Sequence, residues 1–346
     1  MLYIGLDLSR KRLDVHVLSE AGETVEITQA PPDADGLRGL VQRMGRHGEP
    51  ITAAIESMNG ARFVHDQLER AGWTVDLADA KRVKGLAPLA CKTDKIDAWV
   101  LAELCRRDLV PAIWLPSPEV RGARERARWR LHLVRHRVAL KNRIHATLIA
   151  FGHPCPVSDL FGIEGRRRLD ALALPEPWAG GVRAALRLID ELGRDIDACE
   201  AELRRIGTDH PYVPLLKTVP GIGDILGYTI AAELGDISRF AGPKKLCGYT
   251  GLCPRVYQSG DKDYRGPLSK KGPVYLRWAL IEAAVHASRH PRYHDHYQAT
   301  KKRLGKQRGS KVARVELART LSEAIWHMLT KHQAFRPAGP TVALVA

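Results

Sequence analysis

The sequence predicts an α/β protein in three parts: an N-terminal α/β domain over residues 1–115, a helical and coiled-coil middle over 116–208, and a mainly α C-terminal region over 209–346. Three observations predict it. Short apolar runs of strand length recur between residues 2 and 78. A long basic helix is expected over 119–150, and apolar residues recur at three- and four-residue steps over 181–206. Pro111, Pro116 and Pro118 punctuate the first boundary, and the Pro220-Gly221-Ile222-Gly223 turn lies just past the second.

Residues 2–8, 12–18 and 23–28 read as strands separated by tight polar connections, which makes an antiparallel meander. A helix over 33–46, a strand over 51–56, a helix over 60–71 and a strand over 73–78 follow. A helix from Asp94 to Arg107 carries Ile96, Val100 and Leu104 on one stripe. Three antiparallel strands followed by α-β-α-β-α is the element order of the ribonuclease-H-like fold. In that fold the first strand, the fourth strand and a late helix carry metal-binding acids.

Four carboxylates occupy those places. Asp7 and Glu56 each lie at the end of a strand-like run, and Asp94 and Asp97 are three apart, on one face of a helix. Such a cluster repels itself unless a cation fills it, and hard oxygen ligands suit Mg²⁺ or Mn²⁺. Taken singly, each acid has an ordinary reading as a turn or cap residue.

The net charge is +15 with a hydrophobic fraction of 45%, so sizeable cores meet a polyanionic partner. Met1 leads straight into a strand and no run reaches the roughly 18 apolar residues of a membrane span; the expectation is a cytoplasmic protein with no membrane contact. Six cysteines (Cys91, Cys105, Cys155, Cys199, Cys247, Cys253) form no C-x-x-C pair and read as reduced thiols.

The basic helix over 119–150 holds nine Lys or Arg against one acid between 121 and 145, Arg128 and Arg135 among them. A second helix over 181–206 places Ile189, Leu192, Ile196, Cys199 and Leu203 at coiled-coil steps, which fits either self-association or a hairpin within one chain. The Gly- and Pro-rich stretch 152–180 reads as a loop or insertion. Gly221 and Gly223 mark a helix-hairpin-helix turn whose free N–H groups can bind phosphate. Residues 265–314 carry thirteen Lys or Arg and two acids, a net of +11 that supplies most of the charge of the chain. Arg265, Lys270, Lys271, Arg277, Lys301, Lys302 and Arg303 of this stretch, and Arg255 before it, are candidate phosphate contacts. His286, His290, His294 and His296 in the same stretch read as exposed or phosphate-contacting rather than as a metal site. Ser259, beside Gly260 in a basic loop, has a hydroxyl able to attack a phosphodiester if cations stabilise the charge, although Ser-Gly is also an ordinary turn. Tyr257 is a rival nucleophile, and Ser269 reads as the N-cap of the helix through Leu276 and Leu280.

The ordered set of motifs resembles the transposases of the insertion-sequence one-ten family, which include pilin-gene invertases and bridge-RNA-guided recombinases. The set runs from the Asp7 strand through Ile55-Glu56 with Gly60, Lys92-Thr93-Asp94-x-x-Asp97-Ala98 and Pro220-Gly221-Ile222-Gly223. It continues with Gly248-x-x-Gly251-Leu252-x-Pro254-Arg255-x-x-x-Ser259-Gly260 and Ser269-Lys270-x-Gly272. The resemblance covers residues 2 to about 329, and it implies several properties. Asp7, Glu56, Asp94 and Asp97 become the acids of a RuvC-like domain that binds Mg²⁺. Ser259 becomes the nucleophile, joined to DNA as a 5′-phosphoserine, with the acids supplied by an adjacent protomer and a Holliday junction as intermediate. The partners become donor and target DNA, a guide RNA encoded by the element, and further copies of the chain, a dimer assembling to a tetramer. Ser57-Met58-Asn59 departs from the small-Thr-Gly pattern common after the glutamate but touches no assigned ligand. The competing readings are a junction-resolving nuclease with water as nucleophile, a non-catalytic nucleic-acid-binding protein, and a sugar-kinase-like ATPase in which Gly5-Leu6-Asp7-Leu8-Ser9 cradles a phosphate. The basic C-terminal third and the lack of a second glycine-rich phosphate loop disfavour the last.

Overall fold

A computed structural model describes residues 1–86, 94–153, 157–260 and 262–336, the side chains of Asp94 and Lys95 excepted. Lys92 and Thr93 of the third motif, Cys91 and Cys155 lie outside the described residues, as does the side chain of Asp94. The chain divides into two compact units, Met1–Leu115 and Pro116–Ala346.

The first unit runs β1 (Leu2–Leu8), β2 (Leu13–Leu18), β3 (Thr24–Ala30), α1 (Ala34–Gly45), β4 (Ile51–Glu56), α2 (Ala61–Arg70), β5 (Thr74–Ala78), α3 (Ala80–Leu86) and α4 (Asp94–Arg106). Its five strands form one mixed sheet in the order β3-β2-β1-β4-β5. The first three pair antiparallel, and β4 and β5 join in parallel. Tight turns permit the antiparallel pairs, whereas the parallel pairs need the crossover helices α1 and α2. Alternation assigns the faces. Leu2, Ile4, Leu6, Leu13, Val15 and Val17 point to one layer with α1 and α2. Ala54 and Ala78 point to the other, against Val100, Leu101 and Leu104 of α4. Helix α1 starts where Asp33 accepts from the Gly36 N–H at 2.8 Å, a side-chain cap. Helix α3 is an addition to the elements expected from the sequence.

The second unit contains α5 (Pro118–Ala150), α6 (Ile163–Asp170), α7 (Trp178–Thr208), α8 (Val213–Leu216), α9 (Asp224–Leu234), a 3₁₀ turn (Ile237–Arg239), α10 (Pro243–Thr250), β6 (Pro254–Ser259), β7 (Lys262–Leu268), α11 (Val274–Ala287) and α12 (Pro291–Thr330). Helix α5 begins at Ser117, which caps Val120, with Pro118 in the first turn. Helices α5 and α7 pack on each other within the chain. Ile144, Leu148, Val182, Ala185 and Ile189 form the apolar seam at one end of that hairpin. The spacing in 181–206 therefore serves an intrachain contact. The stretch 152–180 is not simply a loop: α6 forms inside it, held to α7 by Arg166 on Asp190 at 2.8 Å. A second, larger core joins α8–α12, with Ile230, Leu252, Leu276, Ala283 and Leu321 fully buried.

Candidate active site and nucleic-acid surfaces

The acids of the first unit are positioned by one close packing. A Cβ on Gly5 would stand 1.8 Å from the Ala98 carbonyl oxygen and 2.5 Å from the Ala102 nitrogen. Helix α4 thus rests its backbone on β1, and only glycine beneath and alanines above allow it. The direction of α4 follows from its far end. Arg106 donates to the Glu20 carbonyl at 3.3 Å, in the β2–β3 turn, beside the Tyr3 end of β1. The N-terminal end of α4, with Asp97 and the Asp94 backbone, therefore lies toward the opposite, Asp7 end.

Leu6 registers with Ile55, so Asp7 and Glu56 are the next residues along neighbouring parallel strands, on the Gly5 face that α4 covers. Asp7, Glu56 and Asp97 are each half-buried, and each has interactions of its own. The backbone brings three of the four acids, and the start of the helix that carries the fourth, to one end of one face. Among the described side chains, no three His, Cys, Asp or Glu residues close into a metal-holding group; the Asp94 side chain falls outside that set. The donor chemistry fits a hard divalent cation, since every candidate ligand is a carboxylate.

Asp14 escaped the sequence reading. It registers directly opposite Asp7 across the antiparallel pair and is only 2% exposed. Arg12 Nε donates to it at 2.7 Å and Gln29 Nε2 at 3.0 Å. Its signal was a single acid inside the apolar alternation Leu13-Asp14-Val15.

Ser259 is not in a loop: it ends β6, pairs with Lys262 and precedes Gly260 at φ +54°. Ser259, Tyr257, Arg255, Lys262 and Arg265 are all exposed along this two-stranded hairpin, and Arg265 bonds Asp263 at 3.2 Å. The base of the hairpin is fixed. A Cβ on Gly272 would meet the Tyr249 carbonyl at 1.9 Å, and one on Gly251 the Lys271 carbonyl at 2.4 Å, so the two segments cross backbone to backbone. Arg277 Nη1 donates to the Thr250 carbonyl at 3.2 Å and to that of Lys270 at 3.4 Å. The Ser269 N–H donates to the Cys253 carbonyl at 2.8 Å. Pro273, not Ser269, is the N-cap of α11, which corrects the capping role expected for Ser269. Cys247 and Cys253 lie with sulfurs 3.6 Å apart, and burial pushes the Cys247 thiol up to about 11.

The basic residues divide. Arg128 donates through Nε and Nη2 to Glu233 at 2.7 and 3.0 Å, and Glu233 is fully buried. Arg124 donates to the Ala232 carbonyl at 3.0 Å, Arg126 to Glu202 at 3.1 Å and Arg130 to Glu200 at 2.6 Å. Arg135 is exposed, with its guanidinium 5.3 Å from the Tyr275 ring centroid. By contrast Lys301, Lys302, Arg303, Lys306 and Arg308 of α12 are all exposed. Lys270 and Lys271 are exposed as well. Gly221 takes φ +85° in the turn before α9, and a Cβ there would meet the Ala283 carbonyl at 2.4 Å, so this glycine serves packing against α11. Gly223 caps α9 with open space beside it, and Lys217 bonds Asp224 in the first turn at 2.5 Å. No helix among the described residues is long and apolar enough to cross a membrane.

Two comparisons bear on this arrangement. Residues 4–152 match a DEDD transposase family of IS110 type, and residues 213–299 match the Transposase IS116/IS110/IS902 family. A probable family 20 transposase of Pseudomonas aeruginosa is 26% identical over 339 residues, 96% of this chain and 98% of that protein. The transposase for insertion sequence element IS1328 of Yersinia enterocolitica is 28% identical over 81% of this chain and 82% of its own length. The transposase for IS1111A of Coxiella burnetii is 27% identical over 82% and 78%. A DEDD transposase domain points to dependence on a divalent metal. With the two family matches together spanning more than half of it, the chain belongs to the IS110 family of insertion-sequence transposases, enzymes of DNA strand transfer.

Proposed function

We propose that this transposase cuts and rejoins donor and target DNA through a covalent phosphoserine link at Ser259, with Asp7, Glu56, Asp94 and Asp97 as the ligands of Mg²⁺ or Mn²⁺ in a ribonuclease-H-like domain. The observation that carries the reading is that the Gly5–Ala98 contact brings Asp7, Glu56 and Asp97, with the start of the helix that carries Asp94, to one end of the sheet. A bound divalent ion would neutralise the scissile phosphate and the developing charge. Ser259 Oγ attacks the phosphorus, a P–O bond to serine forms, and the bond to the 3′ oxygen breaks. The hydroxyl proton is lost as the 3′-hydroxyl is released. Arg255, Lys262 and Arg265 stand on the same exposed hairpin, where their charges can stabilise the pentavalent phosphorus. Rejoining reverses these steps with a new 3′-hydroxyl.

The acids belong to one unit and Ser259 to the other, in line with a reaction shared between protomers of an assembled dimer or tetramer. An RNA encoded by the element would select both DNAs by pairing, with Lys270, Lys271, Lys301, Lys302 and Arg303 on phosphate backbones. The test is strand exchange between donor and target in the presence of Mg²⁺ and the RNA from the flanking DNA. Asp7→Asn is expected to abolish exchange while nucleic-acid affinity stays unchanged. Full exchange by Asp7→Asn would remove the metal role, and exchange without RNA would remove the guidance.

A further inference from the structure

Helix α12 is not one rod. Thr300 Oγ1 donates to Glu316 at 3.0 Å, although sixteen residues of continuous helix span about 24 Å. The chain doubles back at Gly305, whose φ of 73° and ψ of 179° suit glycine alone. Just beyond the turn the two arms touch: a Cβ on Gly309 would stand 2.3 Å from the Lys301 carbonyl oxygen. The Tyr297 and Ser310 hydroxyls, 3.4 Å apart, and the Thr300–Glu316 bond brace the arms further back. The apex over 301–308 is therefore a braced reversal of the chain, not a frayed loop.

Its chemistry is of two kinds. Lys301, Lys302, Arg303, Lys306 and Arg308 are exposed on both sides of the turn, and no acid occurs between Asp295 and Glu316. Arg303 alone approaches one of those acids, Glu316 at 3.9 Å. At the turn itself sits Leu304, 39% exposed. A leucine at the point adds an apolar contact that a phosphate backbone alone does not use. Cations flanking an exposed aliphatic side chain match a duplex edge instead, with phosphates outside and apolar base faces within. Aliphatic wedges between base steps are a known way for a protein to open a stack, at a cost of a few kcal/mol per step. That cost is least where bases are already unpaired or poorly stacked.

We propose that the 301–308 apex is a wedge for branched DNA: its cations straddle the phosphates at a branch point and Leu304 packs on the base pair exposed there. This rests on the DNA-processing reading above and adds a structural preference to it. The experiment uses the full chain with a four-way DNA junction carrying 2-aminopurine at the branch, and a continuous duplex carrying it mid-strand. Binding to the junction is expected to raise 2-aminopurine fluorescence, and binding to the duplex to leave it nearly unchanged. Leu304→Ala should still bind the junction through the flanking cations, whose phosphate contacts it leaves in place, yet lose most of the rise. Leu304→Met should keep it. Circular dichroism confirms that the variants are folded. Junction binding with no rise, or an undiminished rise in Leu304→Ala, overturns the wedge and leaves the DNA-processing reading standing. Failure to bind either DNA, with or without the RNA, overturns both.

Discussion

Helix α5 and the apex of α12 are both crowded with Lys and Arg, yet they use them in opposite ways. On α5, three of the nine cations between 121 and 145 (Arg124, Arg128, Arg130) turn inward to Glu233, Glu200 and backbone carbonyls, and Arg126 pairs with Glu202 at the surface. At the α12 apex the five cations over 301–308 face solvent. The first set closes the unit; the second is available to a polyanion. Charge counted along the sequence therefore overstates the nucleic-acid surface of α5. The difference lies in what the rest of the fold delivers to each helix: α7 and α9 bring acids to α5, whereas among the described residues Glu316 is the acid that pairs with a cation of the α12 apex.

The largest effect should come from Glu233. Replacing it with alanine leaves Arg124 and Arg128 without their shared buried carboxylate, and loss of one partner of a buried pair costs roughly 3–5 kcal/mol. Urea unfolding measures this. A loss below about 1 kcal/mol would show that the pair is as dispensable as an exposed one and would break the contrast. The smaller effect on stability, and the larger one on binding, belongs to the apex. Lys301→Ala, Lys302→Ala and Arg303→Ala combined should change stability by no more than about 0.5 kcal/mol each. The slope of log affinity against log salt should fall by about 2–3. An unchanged slope would mean that these cations contact no phosphate. Performed on one protein, the two measurements separate structural from binding charge.

Legibility in the sequence followed the range of the interaction. The strands carrying Asp7 and Glu56 were readable because alternation and strand length are local, and the i,i+3 pair of Asp94 and Asp97 is local as well. The role of Gly5 was not, because the Ala98 carbonyl that excludes a side chain is more than ninety residues away in sequence. Arg128 looked like a phosphate contact because Glu233 is 105 residues distant. Asp14 was hidden in an apolar run, since its partners Arg12 and Gln29 come together only when β2 pairs with β3. Composition misled at 152–180, where Gly and Pro surround α6 without preventing it. At Gly305 a glycine among helix formers gave no sign that the chain reverses. Family resemblance supplied Ser259 as nucleophile; physical reasoning alone saw a turn, and the structure places it at a strand end.

The central claim is that Ser259 becomes joined to DNA, and trapping that adduct tests it most directly. Donor DNA bearing a 3′ label is incubated with the protein, the RNA and Mg²⁺, quenched in denaturant and resolved by gel, and the labelled peptide is mapped by mass spectrometry. The account predicts a covalent species whose phosphate lies on Ser259. It should disappear in Ser259→Ala, with folding and DNA binding retained, and persist in Tyr257→Phe and Ser269→Ala. A covalent species that survives Ser259→Ala, or that Tyr257→Phe removes, would contradict the assignment and transfer the chemistry to the tyrosine; cleavage with no covalent species at all would point to water.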